Sequence, residues 1–256
     1  MSSRALSFGS VAEAYERFRP GYPDELLDLV LAYAPRPVRT ALEIGAGTGK
    51  ATRLFAGAGI EVTATDPDEA MLAELRRHVT VRTVRATFED LPLGDTYDLF
   101  YAAAALHWTD PAGRWAKVAA LLEPGGVVCS CGGPFQLADP AVAQAVHVAR
   151  APFLETDEIP SPDGIPPEHE MQWPGTELRA SELFTDVRQS VVERRLSVGA
   201  RDYVGYLSTV SAYLELPVAV REQVLAAILR VLPATVELSA DIWVHLARRS
   251  PHTMAR

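Results

Sequence analysis

The chain has 256 residues, enough for one α/β domain with a substantial core. Its net charge of −9 and pI near 5.2 argue against the basic stripe that a large nucleic-acid footprint needs. Apolar residues make up 48%, which excludes a disordered chain, and the longest apolar run, residues 99–106, is too short to span a bilayer.

The first residues, Met1-Ser2-Ser3-Arg4, carry no apolar stretch of the kind a signal peptide needs, so the expected location is the cytoplasm. Residues 7–19 read as a helix capped by Ser7 or Ser10, with Phe8, Val11, Ala14, Tyr15 and Phe18 on one side. Pro20-Gly21-Tyr22-Pro23 stops it. Asp24 is expected to cap a second helix reaching Ala34, with Leu26, Leu27, Val30 and Leu31 inward.

A buried strand, Thr40-Ala41-Leu42-Glu43-Ile44, then runs into Gly45-Ala46-Gly47-Thr48-Gly49 and a helix expected over residues 48–58, which Thr48 caps. Alternating glycines let the backbone turn sharply and let a ligand approach without side chains in the way. In open α/β sheets ligands sit at such strand ends. A nucleoside triphosphate loop is excluded twice: Ile44 stands where its first glycine belongs, and Ala51 replaces its Ser/Thr. A dinucleotide fingerprint is weakened, because its third glycine, needed at Thr48 or near Lys50, sits at Gly49 instead, and stays open.

The second strand, residues 60–65, delivers Asp66 to its tip, where a carboxylate suits a ribose with two free hydroxyls. Pro67 is expected to start a helix reaching Arg77, with Met71 facing an adenine or the core. A third strand is expected over 79–84 and a fourth over 97–103. Between them lies Arg85-Ala86-Thr87-Phe88-Glu89-Asp90-Leu91-Pro92, with Glu89 solvated. Ala105-Leu106-His107-Trp108 follows the fourth strand. Residues 111–122 read as a helix, and Pro124-Gly125-Gly126 turns into a fifth strand, 127–131. Cys129 and Cys131 share one face of that strand, too far apart for an easy bridge, and are expected to be buried free thiols.

The motif Glu43-Ile44-Gly45-Ala46-Gly47-Thr48-Gly49 resembles the first motif of class I S-adenosylmethionine-dependent methyltransferases. The segment Phe8-Gly9-Ser10-Val11-Ala12 with Tyr15, Arg19-Pro20 and Tyr22-Pro23 resembles the lid of the methyltransferase type 11 branch that includes trans-aconitate methyltransferase. Leu106-His107-Trp108 is similar to that branch as well. The resemblance implies S-adenosyl-L-methionine as cofactor. It implies contacts from Tyr15, Arg19, Tyr22, Glu43, Gly45, Ala46, Gly47, Gly49, Asp66, Pro67, Met71, Thr87, Phe88 and Ala102. Thr87 departs from the family pattern by replacing an aspartate that accepts from the adenine amino group.

A proline-rich stretch from residue 132 to 180 reads as a cap inserted after the fifth strand, with one helix over 139–153. Phe135, Phe153, Met171 and Trp173 are its candidate acceptor-facing residues, and His169 is read as exposed. A sixth strand over 184–197, helices over 201–214 and 217–232, and a last strand over 242–248, antiparallel to the sixth, complete the chain. Residues 1–5 and 250–256 are read as disordered.

The expected fold is α/β, a Rossmann-like seven-stranded sheet of order 3-2-1-4-5-7-6 in a single domain. Lid helices occupy 1–38, the cofactor-binding half 39–132, the cap 133–180 and C-terminal strands and helices 181–256. The expected activity is in-line methyl transfer to a small-molecule acceptor: a carboxylate, hydroxyl or amine, with secondary metabolites among the expected acceptors. His107 is the candidate base, and Trp108, Phe135 and Trp173 the candidate acceptor walls. No metal, nucleic acid or membrane partner is expected, and the chain is read as monomer or homodimer. A nicotinamide-dependent oxidoreductase and a non-catalytic S-adenosylmethionine-binding protein are the alternatives.

Overall fold

The computed structural model describes residues 8–157, 161–166 and 168–251. A 3-10 turn, Phe8–Val11, leads into α1 (Ala12–Phe18), followed by α2 (Asp24–Tyr33). The α/β core then runs β1 (Thr40–Ile44), α3 (Thr52–Gly57), β2 (Glu61–Asp66), α4 (Glu69–His78), β3 (Arg82–Arg85), β4 (Tyr97–Ala103), α5 (Arg114–Ala120) and β5 (Leu122–Gly132). Next come β6 (Gln136–Leu137), α6 (Pro140–Arg150), α7 (Gly175–Ala180), β7 (Phe184–Val192), β8 (Arg195–Gly199), α8 (Ala200–Leu207), α9 (Ser211–Leu214), α10 (Val218–Val231), β9 (Thr235–Ser239) and β10 (Ile242–Arg249).

Seven strands form the main sheet in the order β3-β2-β1-β4-β5-β10-β7. This is the expected 3-2-1-4-5-7-6 arrangement, with β7 as the sixth strand and β10 as the seventh. The first five are mutually parallel, and β10 lies antiparallel to both β5 and β7. Central strands are buried on both faces, and side-chain alternation divides them. Ala41, Leu99 and Tyr101 face the layer of α2, α3 and α4, while Leu42, Ile44, Phe100 and Ala102 face α5 and α7. Register sets Ile44 beside Thr65 and Ala102, so the next residues, Gly45, Asp66 and Ala103, stand together at the carboxyl edge of the sheet.

A second, three-stranded antiparallel sheet, β6-β9-β8, packs with α6, α8, α9 and α10 around Val146, Tyr203, Leu207, Tyr213, Val224, Ile228, Val236 and Leu238. The cap therefore draws on two separated stretches of chain. Among the described residues the expected 133–180 insertion supplies β6, α6, Phe153 and Leu154 to it, whereas α7 packs with the main sheet, where Leu178 lies beneath β7.

Several local expectations shift. Asp24 lies in the first turn of α2, whose N-cap is Pro23, and Leu31 is exposed. Residues 47–51 form turns rather than helix, and α3 starts only at Thr52, with Ala51 at its N-cap in place of Thr48. Asp68, not Asp66-Pro67, starts α4, its side chain accepting from the Ala70 amide. Strand β5 begins at Leu122 and carries Pro124-Gly125-Gly126 within it. A Cβ on Gly126 would lie 2.8 Å from the Glu123 carbonyl and 3.1 Å from that of Tyr97, so the strands meet closely there. The expected strand over 184–197 splits at Glu193-Arg194, where Asp241 captures the Arg194 amide and the chain passes to the second sheet. The helix expected over 201–214 breaks where Ser208 and Thr209 hydroxyls donate to the Gly205 and Tyr206 carbonyls.

Cys129 and Cys131 are buried and free, as the spacing implied. Ser250 is ordered: its amide donates to the Leu183 carbonyl and its hydroxyl to that of Glu182. The expected cap Ser7, the disordered reading of residues 1–5 and that of residues 252–256 lie outside the described residues.

Candidate functional site

The glycine turn is built for contact. Gly45 adopts φ +61°, and a Cβ there would stand 2.4 Å from that of Ala105. Gly47 adopts φ +55°, and a Cβ there would meet nothing within 4 Å, so its Cα faces open space. The Ala46 amide donates to the Thr65 carbonyl at 2.9 Å, stitching the turn to β2. The Gly47 amide donates to Asp66 Oδ2, and the Asp68 amide to Asp66 Oδ1, both at 2.9 Å. Asp66 is buried, and desolvation lifts its pKa to about 6 against the pull of those two amides. Each carboxylate oxygen keeps a lone pair for a further donor.

Glu43, on β1 just before the turn, is buried at the floor of the same cleft. Its Oε2 accepts from Thr52 Oγ1 at 2.5 Å and from the Tyr101 hydroxyl at 2.9 Å. Burial raises its pKa to about 8, and the neighbouring Asp66 charge adds to the rise.

Over the turn lies a cleft of about 690 Å³, measured with its open mouth. The lid residues Tyr15, Arg19, Gly21 and Tyr22 roof it, and Ala103, Ala104, Gly132, Gly133, Phe135, Arg194 and Asp241 form its far side. Two clamps hold the lid. Lys50 Nζ donates to the Glu16 carbonyl at 2.7 Å and pairs with its carboxylate, which Arg53 also engages at 2.9 Å. Arg19 donates through Nε to Thr209 Oγ1 at 3.0 Å and through Nη2 to the Thr209 carbonyl at 2.9 Å, with its guanidinium against the rings of Tyr15 and Tyr206. The lid thus bridges the glycine turn and the cap.

Residues 42–130 match the family model described as a methyltransferase domain. An uncharacterised methyltransferase of Mycobacterium tuberculosis is 45% identical over 125 residues, covering 48% of this chain and 50% of that protein. A malonyl-[acyl-carrier protein] O-methyltransferase of Pectobacterium atrosepticum is 35% identical over 130 residues, again covering 48% and 50%. The chain thus aligns with about half the length of these curated relatives. A solved structure from Anaeromyxobacter dehalogenans, described provisionally as a type II methyltransferase, superposes with a TM-score of 0.64. It is 28% identical, and the match covers 92% of this chain and all of that one. These matches support a class I S-adenosylmethionine-dependent methyltransferase, with residues 42–130 as the part that the family model covers.

The methyl donor of this methyltransferase family fits the residues present: Gly47 leaves open space where a side chain would obstruct, with the Asp66 carboxylate beside it. Of the residues expected to contact the donor, the structure brings Tyr15, Arg19, Tyr22, Glu43, Gly45, Ala46 and Gly47 to one cleft, with Asp66 directly behind the turn. Gly49 instead faces Leu75, whose Cγ would lie 2.7 Å from an added Cβ. Ala102 points into the core, and Ala103 and Ala104 line the cleft in its place, because side chains alternate along β4. Pro67 lies outside the cleft lining, and Met71 and the Phe88 ring are buried, the latter edge-on to Phe100. Thr87 exchanges hydrogen bonds with Asp90, its hydroxyl donating to the carboxylate at 2.8 Å. Glu89 is exposed but accepts from the Asp110 amide.

His107 does not line the cleft. It sits on a 3-10 turn, Leu106–Trp108, with Nε2 buried and unpartnered, and burial together with the Arg114 charge lowers its pKa to about 4. Trp108 lies between His107 and Phe8, with ring centroids 4.5 and 6.2 Å away. Phe135 does line the cleft, 4.8 Å from the Tyr206 ring. Trp173 packs in the main core under the Arg114 guanidinium, and Met171 is wedged against Gly175; neither reaches the cleft. Phe153 packs against the cap core, and His169 is exposed, as expected. Sequence reasoning passed over Lys50, Arg194 and Asp241. Lys50 stood in plain sight beside Gly49, but the other two reach the cleft only through the crossing between sheets, which leaves no local signature.

Proposed function

We propose that this chain transfers the methyl group of S-adenosylmethionine to a small-molecule acceptor held between the glycine turn and the cap. The observation that carries the reading is the Asp66–Gly47 contact at the head of a side-chain-free turn, in a chain of this family. When bound, the cofactor supplies an electrophilic methyl carbon on a sulfonium. Asp66 accepts from the ribose hydroxyls, the turn admits the methionine portion, and Arg19 and the tyrosine rings close over it from the lid. Lid and cap exclude water, and alignment of the two reactants contributes on the order of 7–11 kcal/mol at best.

The nicotinamide alternative loses its ground with the family assignment and with β10 lying antiparallel between β5 and β7. One relative is named as an O-methyltransferase of a malonyl group, which puts oxygen among the acceptor atoms to be screened. Among the described residues no helix is long and apolar enough to cross a membrane. Calorimetry with S-adenosylmethionine, S-adenosylhomocysteine and NAD, followed by transfer assays with labelled methyl donor, tests the reading. Binding of the first two and turnover of an acceptor support it. NAD binding alone overturns it, and donor binding without any turnover favours a binding protein.

A further inference from the structure

The cleft holds three cations, and two are already spoken for. Lys50 is bound to the carbonyl and carboxylate of Glu16. Arg19 is fixed by Thr209 and enclosed by Tyr15 and Tyr206. The third is Arg194, on the two-residue crossing between β7 and β8. Its backbone is pinned, the amide donating to Asp241 Oδ1 at 2.8 Å. Its side chain is aimed by one bond, Nη1 to the Gly21 carbonyl at 2.6 Å. Among the described residues no carboxylate pairs with its guanidinium, and Glu25 attracts it only at longer range. Partial burial without a paired anion costs free energy that the fold alone does not recover. Burial correspondingly lowers its pKa.

Among the described residues the same cleft lining holds no histidine, and its carboxyls are committed. Glu43 is held by Thr52 and Tyr101, and Asp241 accepts from the Arg194 amide, Arg195 and Ser239. An acceptor that must lose a proton finds no free base there, whereas a carboxylate needs none.

Resting on the methyl-transfer reading above, we propose that the acceptor is a carboxylic acid and that Arg194 is the residue that holds its carboxylate. One carboxylate oxygen forms the new bond to the methyl carbon as the carbon–sulfur bond breaks. The electron pair stays on sulfur, giving the neutral thioether and a methyl ester, and no proton moves. The guanidinium fork pairs with carboxylate geometry, which an ammonium does not match.

The donor also carries a carboxylate, so the test separates the two sources. Full-length wild type, Arg194→Gln and Arg194→Lys are titrated with S-adenosylhomocysteine. They are then assayed with labelled S-adenosylmethionine against aliphatic mono- and dicarboxylic acids, their amides, and matched amines and phenols. The expected result is alkali-labile methyl esters from acids and none from amides. Arg194→Gln should raise KM for the acid about tenfold or more, about 1.4 kcal/mol per decade, with S-adenosylhomocysteine affinity held within about threefold. Arg194→Lys should fall between. Should the Gln variant melt early, the Lys variant carries the same comparison. Loss of S-adenosylhomocysteine affinity matching the rise in KM overturns the proposal, because Arg194 then serves the donor. Turnover confined to amines or phenols, or donor binding with no acid methylated, overturns the acceptor class and leaves the donor assignment standing. Failure of wild type to bind S-adenosylhomocysteine overturns the methyl-transfer reading itself.

Discussion

The Asp66 carboxylate and the Gly47 amide, 19 residues apart in the chain, meet at 2.9 Å and join the tip of β2 to the bend after β1. One side chain therefore shapes the turn and, in the proposed complex, takes the ribose. Asp66→Ala should weaken S-adenosylhomocysteine binding by about 1–3 kcal/mol, the cost of buried donors left unpaired. It should also lower stability by about 1–2 kcal/mol, because the Gly47 and Asp68 amides lose their acceptor. Calorimetry and urea melts read the two separately, and unchanged affinity would move the ribose elsewhere.

Gly45 combines a left-handed backbone with a Cβ position 2.4 Å from the Ala105 methyl. Gly45→Ala should cost about 1–2 kcal/mol for the backbone and about 1–3 kcal/mol for the clash. Adding Ala105→Gly should recover the second part only. Chemical denaturation of the two variants checks this; a single variant as stable as wild type would refute the strain argument.

Glu43 gives the ligand-free protein a distinctive pH response. Its folded pKa, about 8, lies above the ordinary 4.5, so the fold favours the neutral acid. That stabilisation is complete below about pH 4.5 and is lost as pH rises through about 8, a change on the order of a few kcal/mol. Asp66 acts with the same sign up to about pH 6. Glu43→Gln retains an acceptor for Thr52 and Tyr101 and should flatten thermal stability between pH 6 and 9; parallel slopes for both proteins would contradict it.

His107 sits outside the cleft with an unpartnered Nε2. Its folded pKa, about 4, lies below the ordinary 6.5, so its contribution is complete above about pH 6.5 and is lost as pH falls through about 4. His107→Asn should leave kcat within about threefold, whereas loss of a general base costs about 10²–10⁴-fold. A hundredfold fall in kcat would return the histidine to the chemistry.

What could be read from the chain was what local rules decide. Alternating glycines, an acid at a strand tip and the antiparallel last strand each follow from a few neighbouring residues. The glycine-turn wall of the cleft, Glu43 to Gly47, was legible for that reason, and the lid wall, Tyr15 to Tyr22, through its resemblance to a known lid. The opposite wall was not. Strand β6 has two residues, too few to show a period, and Glu193-Arg194 reads as a continuation of β7 until Asp241 diverts it. Trp173 looked like a pocket wall because it lies among prolines, yet it serves the core beneath Arg114. Ala102 was off by one residue, and strand alternation makes one residue the difference between core and cleft.

The bonds from Arg19 to Thr209 span 190 positions. During synthesis α1 emerges early and can close its first clamp, Glu16 to Lys50 and Arg53, once the glycine turn is made. The surface that carries Thr209 is made much later, so the lid is anchored at one end well before the other. Full closure of the chamber is thus a late event in biogenesis, set by where the second fastener lies along the message.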